Sequence, residues 1–424
     1  MNKLNAIARE GVRLKRAERR QLVLQQTTLD ASLEADHPVR AMWALAESLD
    51  LSVLYDAIRS RGSQPGAPAI DPLITLVLWI HATSAGISSA REIADLCTRH
   101  DVYRWICGGV QVKAHHLSDF RSQSGPLFCE LITQVVSVML HHGLCSLHRL
   151  AQDGTKVRAS AGAASFRKGA TLAELREVAR EHLEQVLAEN DDPKLSVLRK
   201  KARERGARER LNRIDEALRQ LSEVEAARTK TKDEKPIRVS TTDPDCRVMK
   251  RPDGGFRPGY NAQFAVTADD AAIIVGVEVT PFQTDHAAAT PMVEQIKDRY
   301  GSEPEELLTD GGYVSHDEVK ALAEKDVKLF APLPAPRKGQ LPPEQARETD
   351  SHEVAEWRAR MQTEEAKQIY KLRGQAVERV NADGKEHRAL DDVPIRGVTK
   401  AFAFVALFAL TYDILRFIAL AKSA

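Results

Sequence analysis

Three acidic residues from distant parts of the chain could share a metal site. Asp310 follows a short apolar run and precedes two glycines, a pattern typical of a buried strand that ends beside a ligand. Asp153 ends a second candidate strand, and Glu378 lies in a long helix-like segment. Magnesium is usually bound by a few carboxylates together with substrate phosphates, and a pair of ions can promote displacement at a phosphodiester. One carboxylate from each of the three elements would be enough for that chemistry.

The elements that carry these acids follow a definite order. The patterns predict strand 147–155, strands 260–266 and 273–279 joined as a hairpin, helix 287–299, strand 307–310, helix 315–324 and strand 327–331. A Pro-rich linker then leads to a long helix that contains Glu378. An antiparallel trio followed by parallel strands with helical crossovers is the order of a ribonuclease H-like α/β domain, a mixed sheet with flanking helices. In that fold the first strand, the fourth strand and the late helix converge at one edge, so Asp153, Asp310 and Glu378 would meet there.

The patterns divide the chain into a helical part, residues 1–143, and the sheet domain, residues 144–424. In the first part Asp71 and Pro72 open a strong helix, because Asp is a good N-cap and Pro suits the first helical position. Short helices with interspersed arginines would suit a helix-turn-helix reader of DNA. An ordinary helical bundle explains the same residues, and on this pattern alone it is the favoured interpretation. The arginines concerned are Arg91, Arg99, Arg104 and Arg121.

A segment rich in Glu, Arg, Ala and Leu, about residues 168–235, separates the first predicted strand from the second. It predicts a helical hairpin, broken near residues 190–193 and inserted into the sheet domain. An apolar stripe at heptad-like spacing follows its second half and favours an intramolecular core over a dimer seam. The stripe consists of Leu211, Ile214, Leu218 and Leu221.

Composition restricts the partners and the cellular compartment that the protein can have. The 424 residues carry a formal net charge of +1, so total charge does not indicate a nucleic-acid partner. Basic clusters at residues 1–21 and 198–213 could neutralise phosphates, or could be solvated helix faces. The five cysteines form no CxxC pair, which argues against a disulfide framework and a zinc site and favours the cytoplasm. We expect no signal peptide, because a polar, basic stretch follows Met1. We expect no membrane partner, because the apolar run Ala401–Leu410 is shorter than a bilayer span and is typical of a core helix.

Together these motifs resemble the DDE-type insertion-sequence transposases, in the branch with a Tyr-Arg-Glu-Lys signature around the last acid. The resemblance extends over nearly the whole chain, and its specificity comes from the order and spread of the motifs. They are Ala69–Pro72, Gly86–Glu92, Gln152–Lys156, Ser240–Asp245, Gly259–Gln263, Thr309–Tyr313 and the helix around Glu378.

The resemblance implies a function and a set of site residues. Asp153, Asp310 and Glu378 would be the catalytic triad that binds two Mg²⁺ or Mn²⁺ ions. Tyr370, Arg373 and Lys385 would be the signature residues that hold the DNA end, although Arg373 precedes Glu378 by five positions where the signature has four. Asp383 and Gly384 are expected to end the helix before Lys385. The implied partners are double-stranded DNA, both transposon ends and target, and a second copy in a synaptic dimer.

Some interpretations rest on the residues alone. Lys156, just beyond Asp153, could contact a phosphate or simply be a solvated strand end, and Arg121 is expected to contact DNA from the N-terminal helices. Asp285 is interpreted as a helix N-cap. Asp243 and Asp245, on either side of a proline, are interpreted as shaping a turn. Two other functions stay open, a structure-specific nuclease of the same fold and a non-catalytic DNA-binding derivative, although the presence of all three acids disfavours the second.

Overall fold

A computed structural model of the protein describes residues 28–61, 67–189, 196–227, 236–251, 254–334, 347 and 350–422. The basic segment at residues 1–21 lies outside this part of the chain. The first described helices form a layer of seven. They are α1 Pro38–Ser48, α2 Ser52–Asp56, α3 Pro72–Ser84, α4 Ala90–Arg99, α5 Asp101–Cys107, α6 Ala114–Gln123 and α7 Gly125–His141.

Helix α3 is the buried centre of this layer. Its start follows the predicted chemistry, since the Asp71 side chain accepts a hydrogen bond from Leu73 N over 2.9 Å and Pro72 occupies the first turn. Nearly every residue from Pro72 to Thr83 is buried, so other elements cover α3 on all sides. The capped helix predicted at Asp71 is confirmed.

The sheet has the predicted mixed topology. The strands are β1 Arg149–Arg158, β4 Arg247–Lys250, β5 Phe256–Thr267, β6 Ile274–Thr280, β7 Glu306–Leu308 and β8 Lys328–Phe330. They run in the order β4-β5-β1-β7-β8, with β6 also paired to β5. Strand β5 pairs with β1 and with β6 in antiparallel fashion, whereas β1, β7 and β8 are parallel. The ribonuclease H-like order of the sheet is therefore confirmed, with β4 as an addition.

Four helices complete the half of the chain that contains the sheet, before the C-terminal helix. They are α10 Ala289–Tyr300, α11 His316–Ala323, α12 His352–Gln362 and α13 Glu364–His387. Helix α13 packs on β1, as the late helix of this fold should. It does not end at Asp383 and Gly384, so that prediction is wrong. Gly384 is buried, and a Cβ there would lie 2.7 Å from Leu390 and 2.9 Å from Phe408, which shows that the glycine permits close packing rather than a helix end.

The C-terminal helix α14, Val398–Ala421, joins the two halves. It packs against α7, α3 and α6 on one side and against β6 and β5 on the other. Residues from both halves consequently belong to one hydrophobic core. Among the described residues α14 is the one helix long and apolar enough to suit a membrane span, and 67% of its apolar window is buried inside the protein. The buried core helix expected around Ala401–Leu410 is confirmed.

The helical insertion contains two helices, as predicted, and the predicted break at residues 190–193 lies outside the described residues. Helices α8, Gly169–Ala188, and α9, Val197–Ala227, pack against each other. Two short strands, β2 Phe166–Arg167 and β3 Val239–Ser240, pair at the base of the insertion. Ile214 and Leu221 of the apolar stripe are buried, and Leu221 belongs to a small separate cluster with Leu172, Ala217 and Val239. The stripe is therefore intramolecular.

Candidate active site

Asp153 and Asp310 emerge side by side from neighbouring parallel strands. Ala151 of β1 is the register partner of Leu308 of β7, and each aspartate follows its strand's partner residue by two positions. Parallel strands in register advance together, so both carboxylates reach the same level of the sheet. Asp153 lies within β1 rather than at its end, because the strand continues to Arg158. Two of the three predicted acids are thus brought to one edge.

A cationic side chain from α13 bridges this pair. Arg373 Nη2 donates to Asp153 Oδ1 over 3.1 Å and lies 3.9 Å from Asp310 Oδ2. Asn381, two turns further along the helix, donates from Nδ2 to Asp153 Oδ2 over 3.3 Å. Burial raises the pKa of Asp153, and the neighbouring Arg373 opposes this rise. The arginine therefore supplies the positive charge that two adjacent carboxylates require.

Glu378 lies on the same helix but is solvent-exposed. Its Oε1 folds back along α13, only 3.4 Å from the place where a Cβ at Gly374 would be. Within the described ranges no three His, Cys, Asp or Glu side chains are grouped closely enough to hold an ion. The structure brings Asp153 and Asp310 together, whereas a closed three-carboxylate site stays a prediction.

The residues at this edge fit a hard divalent cation. Arg373 already places a positive charge between Asp153 and Asp310. The side-chain Oδ1 atoms of Asn381 and Asn261 are buried and accept no hydrogen bond, although buried acceptors are usually satisfied. Carboxylate and amide oxygens are the ligands that Mg²⁺ prefers. The chemistry of the available donors therefore agrees with the metal that the sequence predicts.

A third aspartate, Asp285, lies beside this pair, and the sequence interpretation of it was wrong. Helix α10 begins four positions later, at Ala289, with Ala288 as a cap residue that makes no side-chain bond. Asp285 Oδ1 instead accepts from Asn261 Nδ2 over 2.7 Å and from Gln263 Nε2 over 2.5 Å. The signal for this cluster was present in β5, where two polar residues alternate at positions that the strand buries.

Lys156 belongs to the same cluster. Its Nζ lies 3.4 Å from Asp285 Oδ1, and only 17% of its side chain is exposed. Burial lowers the pKa of Lys156, whereas Asp285, Asp153 and Asp310 raise it. The lysine is thus held against the acidic edge rather than projecting into solvent as an ordinary strand end.

Gly154, between Asp153 and the lysine, lets this cluster form. A Cβ at Gly154 would overlap Asp285 Oδ1 and Gln263 Nε2, and it would lie 2.8 Å from Asn261 Oδ1. A glycine is therefore required where β1 passes the Asp285 side chain.

Tyr370 and Lys385, the two other predicted signature residues, also lie on α13. Both are partly buried. Burial raises the pKa of Tyr370, and Arg373 opposes the rise. Burial lowers the pKa of Lys385, and Asp391 opposes that change most strongly. Lys385 lies within the helix and not beyond its end.

The structure contradicts a DNA contact for Arg121. Its exposure is 3%, its guanidinium group lies 4.4 Å from the centre of the Trp79 ring, and Nη1 donates to Ser88 O over 2.6 Å. Burial lowers its pKa to about 10. Arg121 is therefore a core residue, whereas Arg91 on α4 is exposed.

Comparison with known protein families decides the identity of the chain. Residues 27–123 match the family described as Transposase domain (DUF772), and residues 232–414 match the family described as Transposase DDE domain. The chain belongs to the DDE-type insertion-sequence transposases. The DDE-domain match includes Asp310 and Glu378, and Asp153 precedes it. No curated protein and no solved structure matches the chain.

Family membership fixes the general activity of this transposase. Proteins with this catalytic domain are enzymes of DNA transposition, and they generally use divalent metal ions. DNA is accordingly the class of partner that the family implies, in agreement with the oxygen-rich acidic edge formed by Asp153 and Asp310.

Proposed function

We propose that this transposase binds the terminal inverted repeats of an insertion sequence, cleaves the DNA at those ends and joins the freed 3′-hydroxyl to target DNA. The observation that carries the proposal is the placement of Asp153 and Asp310 at one level of adjacent parallel strands. Helix α13 reaches the same edge through Arg373. The proposed site of action is the cytoplasm.

Asp153, Asp310 and Glu378 would hold two Mg²⁺ or Mn²⁺ ions. When bound, such ions activate an attacking water or 3′-hydroxyl and stabilise the leaving oxygen in phosphodiester displacement. The contribution of the protein is to place acids of suitable charge at one edge and to keep them oriented. Asn381 does this for Asp153, and Gly312 N does it for Asp310 by donating to Oδ1 over 2.7 Å.

The proposed contacts with the DNA end lie around this pair. Arg373 would exchange its carboxylate partners for a phosphate, Tyr370 would stack on or hydrogen-bond to the end, and Lys385 would complete a Tyr-Arg-Glu-Lys signature. These three residues share α13 with Glu378, in agreement with that branch of the family. Lys156 would meet a phosphate from the strand side, while Asp285 holds it in place.

Residues 1–143 are proposed to bind the terminal repeats, and residues 144–424 to carry catalysis. Within the helical part the exposed Arg91 is a better candidate for DNA contact than the buried Arg121. Two ends must be cut and joined together, so the working form is proposed to be a homodimer on two DNA ends.

Cleavage of the element's own ends tests this proposal. With Mg²⁺, wild-type protein should cut at the end of the repeat, and Asp310→Asn should abolish cutting while binding the same duplex. Asp298→Asn, an exposed aspartate on α10, is the matched control and should cut normally. Normal cutting by Asp310→Asn would remove Asp310 from the site.

A second assay separates transposition from nuclease action. A pre-cut end offered together with a target plasmid should be joined to the plasmid. Cutting without any joining would favour the structure-specific nuclease, and binding without either reaction would favour a non-catalytic derivative.

A further inference from the structure

A cavity of about 410 Å³ lies where the helical insertion meets the sheet domain, and arginines dominate its wall. No aspartate or glutamate lines it. Several other arginines of α9 are paired with carboxylates, among them Arg203, Arg208 and Arg219. None of the described acids lies within ion-pair distance of the four arginines of the cavity, although Arg396 interacts electrostatically with Asp243. Its lining residues are Arg167, Leu175, Arg210, Arg213, Ile214, Thr241, Thr242 and Arg396.

Three separate segments of the chain supply these arginines. Arg210 and Arg213 lie three positions apart on α9, a spacing that places both on neighbouring parts of one helix face. Arg167 comes from β2, and Arg396 comes from the loop that precedes α14. Convergence of like charges from three segments is unfavourable unless solvent or an anionic ligand compensates for it.

Hydrogen bonds fix the wall of the cavity that lies outside the insertion helices. Ser240 Oγ accepts from the backbone N of Thr242 and of Asp243, each over 3.1 Å. Asp243 Oδ1 accepts from Gly397 N over 3.1 Å, and Asp245 Oδ2 accepts from Val398 N over 2.9 Å. The Ser240–Asp245 motif therefore anchors the start of α14, which is more than the simple turn inferred from sequence.

The helix that forms the opposite wall is fixed to the same frame. Arg247 of β4 donates from Nη2 to Gln220 Oε1 of α9 over 2.6 Å. The small apolar cluster that includes Leu221 and Val239 joins α9 to β3. The backbone frame of the cavity is consequently held in place on both sides.

The charge and donors of this cavity suit phosphate groups. Guanidinium groups donate in a planar fork that matches phosphate oxygens, and arginine is favoured wherever that group is bound. Arg210, Arg213 and Arg396 are exposed, so a ligand can reach them. A polyanion with regularly spaced phosphates can satisfy several of them at once.

The cavity is also close to the catalytic edge. Arg396 Nε donates to Ser160 O over 3.3 Å, and Ser160 lies seven positions beyond Asp153 on the continuation of β1. At roughly 3.3 Å per residue the Cα atoms of Asp153 and Ser160 are at most about 23 Å apart. One turn of B-DNA spans about 34 Å, so a duplex at the catalytic edge can reach the cavity within a single turn.

We propose that this cavity binds the sugar-phosphate backbone of the duplex that is cut, less than one helical turn from the cleaved phosphate. This inference rests on the proposed function, because it takes the bound duplex to be the transposase's own substrate. The helical insertion is then a second DNA-binding element, which holds the duplex without reading its sequence.

Salt dependence of DNA binding by the full-length protein tests this role. The affinity for a fluorescent duplex carrying the element's end is measured by anisotropy at several salt concentrations, without divalent metal. Each lost phosphate contact should reduce the slope of log affinity against log salt by about 0.9, so Arg210→Gln with Arg213→Gln should reduce it by about 1.8. Affinity at moderate salt should fall on the order of tenfold.

The matched control removes the same charge from the same helix. Arg208→Gln with Arg219→Gln takes away two arginines that are already paired with acids, and the slope should stay within experimental error of wild type. Arg396→Gln tests the opposite wall from outside the insertion and should reduce the slope by about 0.9. If the cavity variants and the control give the same slope, the duplex does not occupy the cavity, and an acidic protein surface becomes the alternative.

The proposed catalytic site and the proposed role of the cavity can be tested separately. The cavity variant should lose salt slope in the absence of divalent metal, whereas Asp310→Asn should not cut with Mg²⁺ but should keep the wild-type salt slope. Normal cutting by Asp310→Asn would overturn the proposed catalytic site and leave the salt slopes as an independent test of the cavity.

Discussion

Arg373 donates to Asp153 over 3.1 Å, and this single contact places a permanent positive charge against a half-buried carboxylate. The same nitrogen is 3.9 Å from Asp310. A metal ion that binds both aspartates must displace this guanidinium group or share the carboxylates with it. Arg373 therefore stabilises the metal-free pair and opposes the metal, until a DNA phosphate offers it another partner.

Replacement of Arg373 by Gln should strengthen metal binding in the absence of DNA. Loss of the competing charge leaves two carboxylates that repel each other, and Mn²⁺ affinity should rise on the order of tenfold, equivalent to about 1.4 kcal/mol. Titration calorimetry of the DNA-free protein measures this Mn²⁺ affinity. Arg379→Gln, an exposed arginine on the same helix, should leave the affinity unchanged. Equal or weaker Mn²⁺ binding by the Arg373 variant would contradict the competition.

Asp285 and Lys156 should act as a unit in cleavage. Asp285→Asn keeps an oxygen that can accept from Asn261 and Gln263 but removes the charge that holds Lys156. Each single variant, Asp285→Asn and Lys156→Gln, should slow cutting on the order of tenfold, and the double variant should be scarcely slower than either. Single-turnover cleavage rates at saturating DNA measure this coupling. Multiplicative losses would show that the two side chains act independently.

Arg121 should matter for stability and not for DNA binding. Arg121→Gln removes the contact with Trp79 and the bond to Ser88 O from a buried site, and we expect a loss of about 2 to 4 kcal/mol in the free energy of unfolding. Urea denaturation measures the loss, and Arg91→Gln should cost less than about 0.5 kcal/mol. The folded fraction of the Arg121 variant should bind duplex DNA with wild-type affinity. A clear fall in that affinity, without loss of stability, would restore Arg121 as a DNA contact.

The buried Asp413 of α14 should make stability depend on pH. Its Oδ1 accepts from Ile274 N over 2.9 Å while Oδ2 has no partner, and burial raises its pKa well above 3.8, a rise that Arg416 opposes. As pH rises from about 3.8 through the native pKa, the folded state gives up a proton that the unfolded state has already lost, so this group reduces stability.

Asp413→Asn should therefore stabilise the protein at neutral pH, by about 1 to 3 kcal/mol. Near pH 4 the advantage should disappear, because the wild-type carboxyl is then protonated in the folded state. Thermal unfolding at a series of pH values measures the difference, with the exposed Asp298→Asn as control. An advantage that is the same at every pH would mean that Asp413 does not ionise in the folded protein.

The sequence predicted the sheet and its acids because these depend on local pattern and chain order. Alternation in β5 and β6, and the apolar run before Asp310, mark strands directly, and the known connection rules then put Asp153 next to Asp310. Nothing local specifies where the exposed side chain of Glu378 points, so its place in the site is still a prediction.

The wrong predictions share a physical cause, which is that a tertiary partner overrides the local preference. Gly384 is a typical helix end in sequence, but its missing side chain leaves room for Phe408. Asp285 is a typical N-cap in sequence, but Asn261 and Gln263 of β5 bind it. Arg121 is a charged residue among other arginines, but the ring of Trp79 makes its burial favourable.

Helix α14 also bears on the distance between the terminal repeat and the bond that is cut. Because the same helix packs on α7 and on β6, the N-terminal layer and the catalytic sheet cannot turn freely about a hinge. If the N-terminal layer binds the terminal repeat, the rigid connection through α14 fixes the number of base pairs between the bound sequence and the scissile bond. If the DNA between the bound sequence and the scissile bond is lengthened by half a helical turn, the wrong strand should face Asp153 and Asp310.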